Sequence, residues 1–224
     1  MNYIDTFERV EHKYLMTIQQ AEQFYQKIEP YIQPDIYPSY KLYNIYYDAM
    51  DYCMISRSIE GPIYKEKLRI RSYGELENNP YIYVEMKKKY NGIVYKRRIQ
   101  IPTSQMQTIF QNDSQIGKEI TYMQKFYDAD KKVFIAYDRH AFQAKQEADV
   151  RITFDTNIRY RLDHLELNDA YKDISLLNAQ QVLVEVKVMH RYPLWLTHVL
   201  TEMHIQRTSF SKYGTIYANI IKER

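Results

Sequence analysis

Apolar and polar residues alternate with a period of two along much of this chain, and that alternation predicts strands. The clearest case covers residues 64–98, within IYKEKLRIRSYG and YIYVEMKKKYNGIVYKRRIQI. In the first part Lys65, Lys67, Arg69 and Arg71 share one face, and Leu68 and Ile70 share the other. The second part contains Asn91-Gly92, a strong signal for a two-residue type I′ hairpin. That turn sets Lys87 opposite Lys96 and Glu85 opposite Arg98, all on one face, and the hairpin closes at Pro102. Like charges directly opposed weaken a sheet. A chain that builds such a face implies an anion to occupy it.

The same reading extends over the rest of the chain. Residues 7–15 form a strand with Arg9, Glu11 and Lys13 on one face. Thr17 and Gln20 make a capping box, and Ile18, Ala21, Tyr25 and Ile28 give a helical stripe that ends at Pro30. A strand follows at 40–48. Ser104 and Gln107 open a short helix, and Ile116, Ile120, Met123 and Tyr127 mark a longer one. Strands return at 133–142, 150–161 and 182–189, with a polar, partly acidic connection over 163–180. Tyr192-Pro193 puts proline in the first turn of a helix continued by Leu196, Val199, Leu200 and Met203. The tail SFSKYGTIYANII is irregular before a strand or short helix. Helices are too few for regular βαβ alternation, so the pattern predicts an antiparallel α+β domain.

Counted together, the faces separate sharply. One set holds Arg9, Glu11, Lys13, Lys67, Arg69, Arg71, Glu85, Lys87, Lys96, Arg98, Tyr137, Arg139, Arg151, Thr153, Asp155, Glu185 and Lys187. The opposite set holds Val10, Leu68, Ile70, Val84, Met86, Ile135, Ile152, Phe154, Val184 and Val186. Small barrels normally turn apolar residues inward. Here the expected fold is an antiparallel β-barrel with a polar, cationic lumen, a minority of carboxylates, and helices packed on the outside. The expectation is one domain over residues 1–224.

Composition narrows the function classes. Net charge is only +3, which does not describe a general nucleic-acid binder, yet ten of the 31 Lys and Arg lie between Lys65 and Arg98. A single cysteine, Cys53, excludes an internal disulfide framework and fits a reducing compartment. Cys53 has no evident partner base and reads as a small core residue. No apolar run approaches membrane-spanning length and no signal-peptide pattern opens the chain, so the expected location is the cytoplasm. The six histidines lack metal-ligand spacing, Trp195 reads as helix packing, and no glycine-rich nucleotide loop is present.

Seven fragments occur in one order: Glu11 and Lys13 ending a strand as ExK, a KxRxR strand, an ExK hairpin, YDRxAF, VRxTFDxN, LVEVK and a late FSKY. Together they resemble the VTC domain of polyphosphate polymerases, within the triphosphate tunnel metalloenzymes, also called CYTH-like. The resemblance runs from about Phe7 to Ile216. The wider superfamily opens with ExExK, whereas this chain has Arg9 at the first position, giving RxExK, with Glu8 on the opposite face. That departure bears on two-metal hydrolase chemistry and fits the VTC branch.

The resemblance implies a tunnel that binds a phosphate chain. Lys13, Lys67, Arg69, Arg71, Lys87, Lys96, Arg98, Arg139, Arg151 and Lys187 would bind phosphate, with Lys212 of FSKY near the tunnel mouth. Lys13, Arg69, Arg71, Lys87, Arg139, Arg151 and Glu185 would carry the catalysis. Phosphoryl transfer rests on positioning and charge stabilisation, and arginine forks suit phosphate oxygens. Glu185 is the expected ligand of Mn²⁺ or Mg²⁺, with Glu11 and Asp155 secondary; for these two an ion pair orienting an arginine is an equal alternative. The expected activity is transfer of the ATP γ-phosphate to a polyphosphate chain. A triphosphatase or polyphosphatase and a non-catalytic module binding polyphosphate or RNA are the alternatives. Expected partners are ATP and inorganic polyphosphate or triphosphate, and a membrane protein that receives the product; DNA is not among them.

Overall fold

The computed structural model describes residues 10–222 other than Pro62, Gly92, Ala148 and His190. Arg9 and Glu8 lie outside the described residues. The strands are β1 (Val10–Thr17), β2 (Ile32–Asp48), β3 (Tyr64–Tyr73), β4 (Tyr81–Tyr90), β5 (Ile93–Pro102), β6 (Asp130–Ala144), β7 (Arg151–Arg161), β8 (Ile174–Ser175) and β9 (Gln181–Val188). The α-helices are α1 (Ile18–Ile28), α2 (Cys53–Glu60), α3 (Gln115–Phe126), α4 (Leu194–Glu202) and α5 (Lys212–Ile216). All strand pairs are antiparallel, in the order β1-β9-β7-β6-β2-β3-β4-β5, with the short β8 beside β7.

The predicted capping box starts α1: Thr17 Oγ1 accepts from the Gln20 amide, and Gln20 Oε1 accepts from the Thr17 amide. In the hairpin, Asn91 has φ 45° as a type I′ turn requires, and Lys87 faces Lys96 while Glu85 faces Arg98. The predicted helix near Ser104 is a 3₁₀ segment, Thr103–Thr108.

Two cores cover the outer face. One packs α3 against Ile45, Leu68, Ile70, Val84, Met86 and Ile101 of the β2–β5 half. The other packs α1 and α4 against Tyr14, Ile152, Phe154, Val184 and Val186. Burying each such side chain contributes roughly 1.5–3 kcal/mol, enough to bend the sheet around its polar face.

Four features differ from the sequence reading. The barrel is not closed: among the described residues β1 and β5 do not pair. The free edge of β1 is met instead by the C-terminal segment, whose Thr208 amide donates to the Lys13 carbonyl at 2.8 Å. Two helices are not wholly outside. The C-terminal α5 lies on the concave side, and the unforeseen α2 contributes to both faces: Ile55, Tyr213 and Ile216 pack on Leu42, Tyr46, Tyr137 and Leu183, while Met54 joins the outer core. Ile135 belongs to this inner cluster, because it shares the parity of Tyr137 on β6. Finally, β2 begins at Ile32 and passes Pro34 and Pro38. Residues before Leu42 pair only with β6, and a register shift lies between Pro34 and Ser39, where proline is tolerated.

Candidate functional site

Alternation along the curved strands brings the charged side chains onto the concave face, where they form two unlike walls. On β1, β9, β7 and β6 the charges are paired. Asp155 accepts two parallel bonds from Arg139, at 2.6 and 2.7 Å, and a third from Lys212 at 2.6 Å. Glu185 is met by Arg139 at 3.2 Å, Lys212 and Lys187 at 3.5 Å, and Lys13 at 3.8 Å. Burial works against its charge, yet Lys212, Arg139, Lys187 and Lys13 hold its carboxyl well below the usual range. Glu11, opposed by burial and favoured by Lys187 and Lys87, is lowered to about 2. Lys87 of β4 is thus among the cations that favour the charged Glu11 of β1.

The wall of β2, β3, β4 and β5 has a surplus of cations. Glu85 is its one carboxylate partner: Arg69 holds it at 2.7 Å and Lys96 at 2.8 Å, with Arg98 at 3.9 Å. Arg69 also donates to the Tyr46 hydroxyl at 3.0 Å. Arg71 is buried, yet its bonds go to neutral groups, Asn44 Oδ1 at 2.8 Å and the Tyr137 hydroxyl at 3.2 Å. Among the described residues Lys67 reaches only Ser211 Oγ, at 3.3 Å. Lys87 has no ion pair or hydrogen bond among the described residues. Burial lowers Lys67 to about 8, with Tyr46 opposing and Lys13, Lys87 and Arg69 adding. Tyr46 is itself brought down to about 8, against burial, by Arg69, Lys67 and Arg71. Of these cations, Arg71 is buried, Lys67 half-buried and Lys87 exposed. A buried cation without a counter-ion is costly, and an anion in the lumen would offset that cost at Arg71 and part of it at Lys67.

The predicted hairpin register holds, but the predicted clash of Lys87 with Lys96 is relieved because Lys96 turns to Glu85. The lysine that faces Lys87 without such relief is Lys67, its partner across β3 and β4. Arg151 stands apart: its guanidinium turns to Asp35 at 2.8 Å and to the Tyr40 hydroxyl at 3.3 Å, half exposed at the rim. Lys212 lies deep in the site and not at its mouth, between Asp155 and Glu185 and 4.3 Å from the Tyr137 ring centre. Sequence reasoning missed Asn44, Tyr46 and Ser211. The alternation of Leu42, Asn44 and Tyr46 was the available signal for the first two.

Among the described residues no group of three or more His, Cys, Asp or Glu side chains is arranged to hold a metal ion. Two carboxylates nevertheless suit one. Lys13 lies 3.6 Å from Glu11 and 3.8 Å from Glu185, and Lys187 lies 3.9 and 3.5 Å from the same pair, so cations already bridge them. Both are ionised, and the buried Thr153 hydroxyl on the register partner of Glu185 has no hydrogen bond. Both oxygens of Asp155 are taken by Arg139 and Lys212.

An antiparallel sheet curled around a charged lumen, with helices on its convex face, defines the class: a tunnel-type α+β domain. The family follows from the sequence. A model of the VTC domain matches residues 8–221, and the chain belongs to that family. No curated protein matches it significantly. Among solved structures, a "putative adenylate cyclase" from Bacillus halodurans is similar with a TM-score of 0.60 and 10% identity, over 98% of each chain. A "putative adenylyl cyclase" from Hippeastrum, described as having a dominant triphosphatase activity, gives 0.58 and 14%, over 94% of this chain and 95% of the other. At these identities the likeness is one of fold.

Proposed function

We propose that this domain is a divalent-metal-dependent polyphosphate polymerase that transfers the terminal phosphate of ATP to a polyphosphate chain. The observation that supports the reading is the set of lumen cations lacking carboxylate partners, Arg71, Lys67 and Lys87, together with membership of the VTC family. In the reaction a terminal oxygen of the chain bonds to the γ-phosphorus, the bond from that phosphorus to the β-bridging oxygen breaks, and ADP leaves. Arg71, Lys67 and Lys87 bind phosphate oxygens. Arg69, fixed by Glu85 and Tyr46, and Arg139, fixed by Asp155, present guanidinium edges in set directions. Glu185 and Glu11 would hold Mn²⁺ or Mg²⁺, with Asp155 orienting Arg139 and Lys212. When bound, the ion supplies positive charge to phosphate oxygens. No described helix is long and apolar enough to cross a membrane; a membrane protein would be the partner that receives the product.

One observation favours a second reading, hydrolysis of triphosphate: among the described residues the sheet is not closed between β1 and β5, and a gap there would give water a route to the lumen. Pure protein incubated with ATP and Mn²⁺ or Mg²⁺, with products resolved on a gel, separates them. A ladder of lengthening polyphosphate is expected. Orthophosphate alone identifies the hydrolase, and no turnover with retained tripolyphosphate binding identifies a binding module.

A further inference from the structure

The row of facing lysines does not stop where the lumen does. On the concave face of β3, β4 and β5, Lys67 faces Lys87, which faces Lys96; one step nearer the hairpin tip Lys65 faces Lys89, which faces Val94. Same-face rows lie roughly 7 Å apart along a strand. From Arg71 to Lys65 the track therefore covers about 20 Å, longer than a three-phosphate chain can span. Among the described residues Lys65 reaches only a neutral group, the Ser58 carbonyl at the end of α2, at 3.3 Å. Lys89 has no ion pair or hydrogen bond among the described residues. Burial and Lys89 lower the pKa of Lys65. The convex face at the same level is built differently: Lys88 has a carboxylate partner, Glu66, at 3.2 Å. At this level Lys88 is thus neutralised on the outside, while Lys65 and Lys89 on the inside lack a carboxylate partner among the described residues, as Lys67 and Lys87 do.

We propose that Lys65 and Lys89 form an outer subsite for inorganic polyphosphate, which holds phosphoryl units beyond those in the lumen and so selects long chains over triphosphate. The inference rests on the phosphate-binding reading of the lumen given above. Neither lysine touches the reacting atoms; the pair sets affinity for chain length.

Binding of tripolyphosphate and of a polyphosphate several tens of units long is measured by calorimetry on wild type, on Lys65→Met/Lys89→Met, on Lys65→Arg/Lys89→Arg, and on Lys88→Met. The methionine pair should bind the long chain about tenfold more weakly, as expected for loss of two partly exposed charge contacts, with tripolyphosphate affinity unchanged. The arginine pair should restore the long chain, and Lys88→Met should leave both ligands as in wild type. Equal loss for both ligands, or no loss for either, overturns the subsite. A wild type that holds the long chain through Lys65 and Lys89 yet ignores tripolyphosphate supports the subsite and sinks the lumen reading. Failure to bind either ligand sinks both.

Discussion

Replacing Lys67 by methionine should make the empty protein more stable and less responsive to tripolyphosphate. The ammonium sits where burial and the charges of Lys13, Lys87 and Arg69 oppose it, and its pKa drops from 10.5 to about 8. At ~1.4 kcal/mol per unit that shift corresponds to about 3 kcal/mol as an upper bound, and screening in a partly open lumen reduces it to roughly 2 kcal/mol. Methionine keeps the apolar stem but loses the bond to Ser211 Oγ, a loss of about 1 kcal/mol. The net gain is about 1 kcal/mol, or roughly 2–4 °C in melting temperature for a chain of this size.

The sign of the pH dependence is a second check. The folded-state pKa lies below the unfolded one, so between about 8 and 10.5 the unfolded chain binds the proton that the folded protein has lost. Stability of the wild type therefore rises with pH across that window. The penalty from Lys67 is complete below pH 8 and fades by pH 10.5, and the advantage of Lys67→Met should fade with it. Urea melts at pH 7 and pH 10, at low ionic strength, measure the difference. Melting curves with rising tripolyphosphate then test the ligand, since binding to the folded state alone raises stability with concentration. A destabilised Lys67→Met with an undiminished tripolyphosphate shift would refute the reasoning, because Lys67 would then be a structural ammonium held by Ser211.

Glu185→Gln removes the charge that offsets Lys13, Arg139, Lys187 and Lys212; unfolding free energy should fall by about 3 kcal/mol, while tripolyphosphate binding persists and metal-dependent turnover is lost. Normal metal-dependent turnover in that variant would place the ion elsewhere. Arg71→Lys should weaken tripolyphosphate about tenfold in calorimetry, because a point charge replaces a fork already oriented by Asn44 and Tyr137; unchanged affinity would remove Arg71 from the site. Tyr213→Phe deletes the hydroxyl that donates to Asp48 Oδ2 at 2.9 Å, at a cost of about 1–2 kcal/mol. Amide exchange over Lys212–Ile216 should quicken, and unchanged protection there would mean that apolar contacts alone hold α5.

The strands were legible because period-two alternation with one polar face is a local signal, and the Asn91-Gly92 turn fixed the register of Glu85, Lys87, Lys96 and Arg98 before any fold was known. What local patterns cannot carry is the path of the ends. Closure depends on whether two strands far apart in sequence meet, and here the edge of β1 is met by Thr208. The depth of Lys212 depends on where α5 docks, which follows from Tyr213 and Ile216 packing on β2, β6 and β9 and from Asp48 holding Tyr213. Helix α2 escaped notice for a related reason. Its start is organised by a residue outside it, the buried Asp48, whose carboxylate accepts from the amides of Met54 and Ile55. Arg151 had the right parity, but a side chain at the rim chooses among neighbours, and Asp35 lies closer than the lumen.

The unequal distribution of carboxylates bears on how a ligand would lie. Asp155, Glu185 and Glu11 belong to β7, β9 and β1, whereas β3 and β5 bring no carboxylate to the concave face and β4 brings only Glu85. Against the first wall a phosphate chain would meet cations whose charge Asp155, Glu185 and Glu11 already largely offset. Placed against the second, it meets Arg71, Lys67 and Lys87, and only Glu85, already neutralised by Arg69 and Lys96, opposes it. On the proposed reading the chain therefore lies along β3 and β4, and the two glutamates face it from across the lumen, where a divalent ion could join carboxylate to phosphate. The same asymmetry explains why the lysine row continues along the hairpin and not along β1: a track for a polyanion has to follow the wall that repels it least.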